Sequence, residues 1–217
     1  MYVPASFAET NRQLATDLIA KYPLGVLFTA GSSGLFSSTI PFQFRINDNN
    51  KQFLVAHLAR ANPHWKDLDN LEECLVVFSG AHNYVTPDWY PTKKITHKVV
   101  PTWNYETVQV RGKPRIIESG DWIAQQVSEL TNVNERNRLN PWKVSDAPAD
   151  FIENQLKAII GLEIEITDIK GKWKMSQNRP IDDINGVVEG LSNSSDLHSN
   201  QEVANIVLAR NAIKNKT

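Results

Sequence analysis

Between Phe78 and Tyr105 the chain reads FSGAHNYVTPDWYPTKKITHKVVPTWNY. Phe78, Tyr84, Trp89, Tyr90, Trp103 and Tyr105 are interspersed there with His82, Asn83, Thr86, His97, Thr102 and Asn104. Each polar group that such a cluster buries must find a partner. Aromatic faces beside amide, hydroxyl and imidazole groups therefore point to a flat heteroaromatic ligand, or to an interface that shapes one. Within the stretch, PTWNY at 101–105 offers a wall, Trp103, flanked by Thr102 and Asn104. Aromatic residues at a strand start also serve ordinary cores.

Two further stretches carry cations. HLARAN, at 57–62, leaves an apolar strand pattern and runs into Asn62-Pro63, the sequence of a helix start. Unsatisfied N–H groups at a helix start favour an anion such as phosphate. Arg60 adds a charge that can hold two oxygens, and the Asn62 amide adds a donor. A solvated arginine beside an ordinary cap explains the same residues. KWKMSQNR, at 172–179, offers Lys172, Lys174 and Arg179 with the neutral donors Ser176, Gln177 and Asn178. In extended backbone Lys172, Lys174 and Ser176 share a face. That face suits a phosphate or the electron-rich edge of a ring, and equally a basic, solvent-facing strand end.

Other chemistries lack their signatures. His57, His64, His82 and His97 show neither H-x-x-x-H nor paired-cysteine spacing, so no metal centre is expected. Cys74, the only cysteine, lies inside ECLVVFS and reads as a buried thiol rather than a nucleophile. G-x-S-x-G, the P-loop and G-x-G-x-x-G are absent, and no catalytic residue is assigned. Asp146, Asp150, Glu163 and Glu165 read as helix-start and solvent-face carboxylates. Arg111, Lys113 and Arg115, and Arg210, Lys214 and Lys216, read as solvated cations.

The elements that must position these residues can be sketched from periodicity. Ser6 and Glu9 form the capping-box pattern, and apolar spacing then predicts a helix over about residues 6–21. Leu24–Ala30 reads as a strand, Gly31-Ser32-Ser33-Gly34 as a turn, and Leu35–Ile46 as extended with an edge or bulge at Pro41. Gln52–His57 is the next strand, followed by a short helix through Trp65 and Leu68. Cys74–Ser79 is a strand ending at Gly80. Tyr105–Arg111 and Arg115–Glu118 read as a hairpin across Gly112-Lys113-Pro114. Trp122, Ile123, Val127 and Leu130 mark a helix; Pro148 opens another that Gly161 closes. Leu162–Thr167 alternates as a half-buried strand and continues through 171–179. Residues 180–198 look polar and turn-rich. Ser199 and Glu202 precede a last helix ending near Lys214. Short strands with helices at the periphery predict a mainly β, α+β barrel.

Bulk properties narrow the class. A chain of 217 residues with 41% apolar content supports one sizeable core, and a net charge of −1 gives no broad basic field for nucleic acid. The N-terminus lacks a basic region followed by an apolar stretch, and no apolar run reaches a membrane-spanning length, so a cytoplasmic protein without membrane association is expected.

Taken in order, MYVPASF (1–7), AHLARANPHW (56–65), VFSGAHNYVTPDWY (77–90), VVPTWNY (99–105), LKAIIGLEIEI (156–166) and KWKMSQNR (172–179) resemble the PaiB-like family, FMN-binding negative transcriptional regulators. The resemblance covers roughly residues 1–191, with 192–217 as a helical extension of the same domain. Ala56 stands where the family is expected to carry glycine. The resemblance implies an FMN-binding split β-barrel, as in the pyridoxamine-phosphate oxidases, whose homodimer holds FMN between its subunits. It implies that Arg60 and Asn62, with His57 nearby, bind the phosphate. It places Ser38 and Thr39 along the flavin, Trp103 and Asn104 on the wall or from the partner subunit, and Lys174, Ser176 and Gln177 on the polar rim. It implies a regulator that could contact DNA, although no helix-turn-helix is legible after the Trp122–Thr131 segment. An FMN-dependent oxidoreductase acting on a small planar substrate is the alternative. A carrier of haem or another planar ligand, through His57 or His82, is a third.

Overall fold

The computed structural model describes residues 1–32 and 34–212. The chain divides into two compact units. Unit 1 comprises Met1–Ala15, Ser79–Val108 and the chain from Lys170 onward; unit 2 comprises Thr16–Phe78 and Gln109–Ile169. The strands are β1 (Ala8–Glu9), β2 (Leu24–Gly31), β3 (Gly34–Pro41), β4 (Gln43–Ile46), β5 (Gln52–Ala59), β6 (Cys74–Val85), β7 (Thr102–Ile117) and β8 (Ile159–Lys174). They follow the order β3-β2-β6-β7-β8-β5-β4, with β1 on β8. The helices are α1 (Arg12–Lys21), α2 (Trp65–Leu68), α3 (Lys93–Thr96), α4 (Gly120–Glu135), α5 (Ala149–Lys157), α6 (Ile181–Ser192) and α7 (Gln201–Ala212). This is the mainly β class expected. Among the described residues, no helix is long and apolar enough to cross a membrane.

Unit 2 is built on antiparallel pairs. β2 pairs β3 from Leu24↔Pro41 to Gly31↔Gly34, and β5 pairs β8 from Phe53↔Glu165 to Ala59↔Ile159. Leu27, Phe42, Leu54, Leu58, Val76, Phe78, Leu162 and Ile164 form its core. Period-2 alternation sends every second residue of β2 outward, which leaves Leu24 61% and Phe28 43% exposed. Ser119 caps α4 by accepting from the Trp122 N–H. Arg45 of β4 meets Glu129 of α4 at 2.6 Å and lies over the Trp122 ring, which ties that helix to the sheet.

Unit 1 buries Phe7, Val85, Tyr90, Val108, Trp173, Met175, Val187, Leu191, Val203 and Val207. α6 packs against α7. Buried Asp183 accepts from both the backbone and the hydroxyl of Thr92, and Trp89 Nε1 donates to Asp196 Oδ2 at 3.1 Å.

Several expected boundaries move, each for a local reason. The Ser6–Glu9 capping box is not made, because Ala5–Phe7 is a 3-10 turn and Ala8–Glu9 pair with Lys172 and Gly171 of β8. The helix starts at Arg12 instead. β6 does not stop at Gly80 but runs to Val85. Gly112 is not in a turn: β7 is one unbroken strand, and a Cβ there would stand 2.4 Å from the Glu165 carbonyl oxygen. The glycine permits a close backbone approach. Gly161 closes no helix either, since α5 ends at Lys157 and Gly161 lies in β8 against the Trp122 ring. The turn-rich reading of 180–198 gives way to α6, whose Ile184, Val187 and Leu191 are buried at helical spacing. Asn200, not Ser199, caps α7 by accepting from the Val203 N–H. Ser33, the expected end near Lys214 and Lys216 lie outside the described residues.

Candidate functional site

The ten residues singled out from the sequence divide evenly. His57, Arg60, Asn62, Ser38 and Thr39 lie in unit 2; Trp103, Asn104, Lys174, Ser176 and Gln177 lie in unit 1.

In unit 2, β5 ends at Ala59, and the turn that follows carries Arg60 and Asn62 toward α2. Asn62 Oδ1 accepts from the His64 N–H at 3.0 Å, and Asn62 Nδ2 donates to Ser38 Oγ at 3.0 Å. The helix that follows is a single turn, Trp65–Leu68. A helix this short has little macrodipole, so the helix-start part of the phosphate argument falls away while the arginine and the amide remain. Trp65 Nε1 donates to the Arg60 carbonyl oxygen at 2.9 Å and braces the turn. The nearest carboxylate to the Arg60 guanidinium is Glu118, at 4.0 Å, with the arginine side chain 37% exposed. That pair is loose, and the cation faces solvent.

Ser38 and Thr39 occupy opposite faces of β3. Ser38 is buried with His64; Thr39 is exposed and stands opposite Val26 in the register. His57 is engaged elsewhere. Gln126 Nε2 donates to Gln43 Oε1 at 3.0 Å, so Gln126 Oε1, 2.8 Å from His57 Nδ1, accepts that ring's hydrogen.

The role of His64 leaves no mark in the residues around it. It is 2% exposed, with Nε2 2.7 Å from Thr29 Oγ1 and Nδ1 2.8 Å from Ser38 Oγ. Burial pushes its pKa down, and Asp67 pulls weakly the other way. The Phe36 ring lies over it at 4.8 Å. The histidine was visible, but its partners come from β2 and β3, and only the register of that hairpin brings them together.

In unit 1, Lys174 donates to Thr102 Oγ1 and to the Trp103 carbonyl oxygen. Burial lowers its pKa, and Lys172 and Arg179 lower it further. Asn104 is fully buried and donates to Ser176 Oγ at 3.0 Å. Ser176 has φ +64, so it leaves the strand and does not share the Lys172–Lys174 face. Gln177 bridges the turn, accepting from the Met175 N–H and donating to the Trp173 carbonyl oxygen. Trp103 is 52% exposed, with His82 and Tyr84 rings at 5.7 and 6.2 Å. The five residues are therefore assembled around β7 and the end of β8, with Trp103 half exposed beside His82 and Tyr84.

A cleft of about 510 Å³ in unit 2 is lined by Asn47, Lys51, Phe53, Lys113, Arg115, Glu163 and Glu165, among others. None of the ten residues lines it. Its cations are paired: Lys51 with Glu165, Lys113 with Glu72, and Arg115 with Glu163. The chemistry favours the Arg60–Asn62 turn over this cleft. Among the described residues no group of three His, Cys, Asp or Glu side chains could hold a metal ion.

Comparisons with known proteins address the family and the fold. A family model described as "Putative FMN-binding domain" matches residues 1–168. The chain is 37% identical over 251 aligned residues to an uncharacterized protein of Emericella nidulans, covering 100% of each. It is 30% identical over 201 residues to the protease synthase and sporulation protein PAI 2 of Bacillus subtilis, covering 93% of this chain and 94% of that one. Among solved structures it is similar to the FAD and heme binding protein from Mycobacterium smegmatis, with 17% identity and TM-score 0.55 over 77% of this chain and 73% of that chain. The flavocytochrome Anf3 from Azotobacter vinelandii matches at 16% identity and TM-score 0.55, over 77% and 69%. At those identities the likeness is one of fold, and the fold is split-barrel-like as expected. The chain belongs to the PaiB-like family that carries the putative FMN-binding domain.

Proposed function

We propose that this protein binds FMN as a homodimer and acts as a flavin-dependent negative transcriptional regulator. Family membership carries the flavin reading. The donor set in unit 2 fits the group: a phosphate monoester needs a cation and neutral donors, and Arg60, Asn62 and Ser38 supply them. In unit 1, the half-exposed Trp103 with Lys174 has the chemistry for a planar ring and its polar edge. Asn104, Ser176 and Gln177 hold that segment in place. When bound, FMN would supply hydride or electron transfer, and the protein would supply binding and orientation.

Support for the dimer comes from an uncovered sheet face in unit 2. The registers Leu24↔Pro41, Val26↔Thr39, Phe28↔Ser37 and Ala30↔Leu35 put these residues on one side of the β2–β3 hairpin. Val77 and Leu75 of β6 stand beside Val26 and Phe28 on that side. Leu24, Phe28 and Leu35 are exposed there. An apolar sheet face of this kind suits a second copy of the chain. Thr39 lies on it, where two copies would shape a ligand groove.

Support for the regulatory role comes from family resemblance, and the Bacillus relative is named for protease synthesis and sporulation. The test is direct. The purified protein should carry a flavin spectrum and run as a dimer, and the dimer should retain DNA in a salt-sensitive, sequence-selective way. The half-exposed Trp103 also suits a small planar substrate. Steady NAD(P)H consumption with an added acceptor, without DNA retention, would favour the oxidoreductase instead. A haem spectrum in place of flavin would favour the planar-ligand carrier and overturn the flavin reading.

A further inference from the structure

The turn bearing Arg60 and Asn62 is anchored to a buried chain of hydrogen-bonding groups within unit 2. Thr29 Oγ1 contacts His64 Nε2, His64 Nδ1 contacts Ser38 Oγ, and Asn62 Nδ2 donates to the same Ser38 oxygen. Thr29, Ser38 and His64 are each at most 8% exposed. The hydrogens in this chain can be counted. Each hydroxyl carries one, and a neutral imidazole carries one more. The two imidazole contacts consume two of the three, so one hydroxyl hydrogen is always left over.

Where it sits depends on the tautomer. If His64 carries its proton on Nε2, Ser38 donates to Nδ1 and the spare hydrogen falls on Thr29, inside strand β2, with no other side-chain partner among the described residues. A buried donor stranded there is costly. If the proton is on Nδ1, Thr29 donates to Nε2 and His64 donates to Ser38. Ser38 then accepts twice, and its own O–H is the spare. It lies beside Asn62, which is half-buried and whose second amide hydrogen is also unspent. Without ligand either arrangement leaves one buried hydroxyl hydrogen with no side-chain acceptor among the described residues; only the second puts it beside the half-buried Asn62 and the Arg60 turn, where a phosphate oxygen would take it.

We infer that His64 is a positioning residue that fixes Ser38 as a hydrogen-bond donor, so that the Ser38 hydroxyl and the second Asn62 N–H are presented together to a phosphate oxygen. This rests on the flavin reading and adds Thr29 and His64 to it, as groups that act through Ser38 without touching ligand. Burial lowers the His64 pKa and so favours the neutral imidazole that the relay uses; Asp67 is the charged group that opposes this, and the Phe36 ring lies 4.8 Å from its own.

The test is a titration of the purified protein with FMN and, separately, with riboflavin, which lacks the phosphate. His64→Asn places an amide N–H near the Nδ1 position and keeps donation to Ser38. His64→Gln reaches toward Thr29 and abandons Ser38. FMN affinity should stay within about threefold of wild type in His64→Asn, and fall by about tenfold or more in His64→Gln and Ser38→Ala, the scale of one charge-assisted hydrogen bond. Riboflavin affinity should not change in any of them. Ser38→Ala removes a single oxygen and keeps the test open if His64→Gln does not fold. Unchanged FMN affinity in both His64→Gln and Ser38→Ala would overturn the assignment, as would a parallel fall in riboflavin affinity. A folded wild-type protein that binds neither flavin would overturn the flavin reading itself.

Discussion

At the scale of single residues, the structure assigns charge and burial in ways that can be checked. Arg60 has only a distant carboxylate to answer it, so removing it should cost the ligand and not the fold. Arg60→Ala is expected to weaken FMN binding by more than about 1 kcal/mol, as for a charge-assisted contact, with an unchanged melting temperature. Equal affinity by titration would remove Arg60 from the site. His64 makes a prediction about acid. Its folded pKa lies below the ordinary value of about 6.5 because burial disfavours the imidazolium. As pH falls through that range the unfolded chain takes up a proton that folded His64 resists, so stability falls with pH and levels off below the folded pKa. Thermal melts across about pH 7 to 5 should show this loss, and His64→Asn should show less of it. Cys74 is 3% exposed, and burial pushes its thiol up to about 12. It should resist alkylation in the folded protein and react once denatured; rapid native labelling would contradict its placement. The arginine, the amide and the thiol were legible from residue type and neighbours. The His64–Thr29–Ser38 chain was not, because it is made by a cross-strand register that leaves no mark on the sequence.

At the scale of elements, local signals succeeded where one periodicity dominated and failed where glycine had two meanings. β2 and β5 follow from apolar, β-forming runs bounded by turn residues, and α4 from the helical spacing of Trp122, Ile123, Val127 and Leu130. Gly112 and Gly161 carry the local signals of a turn and a helix end, yet both lie inside long strands. Glycine marks both a turn and a close approach, and only the neighbouring strand or ring tells which. The distinction is testable. Gly112→Ala would force a Cβ to within 2.4 Å of the Glu165 carbonyl oxygen, which is backbone and cannot swing away. A loss of about 1–3 kcal/mol in denaturant unfolding is expected, as for overpacking in a core. A neutral substitution would mean the turn reading was right after all. α6 was missed because its polar positions hid the Ile184, Val187 and Leu191 stripe, although Pro180 followed by Asp182 and Asp183 is a legible helix start. Ser176 shows the converse limit: its left-handed backbone removes it from a face that simple alternation assigned it.

At the scale of the whole molecule, the proposed function needs flavin retained by a pair of chains. The apolar face of β2 and β3 in unit 2 is the part of this claim the structure supports with named residues. Replacing exposed Phe28 and Leu35 together with aspartate should leave the monomer folded and prevent pairing, because charges at the centre of an interface are penalised. Sedimentation would then report one chain where the parent reports two. The sequence carried the fold class and family through ordered segments spread along its length, but an interface between copies has no signature of its own in one chain. The most direct measurement is the native mass of the purified protein. Two chains with bound FMN, released on denaturation as free flavin, are expected. A single chain of unadorned mass that stays colourless with excess FMN would contradict this.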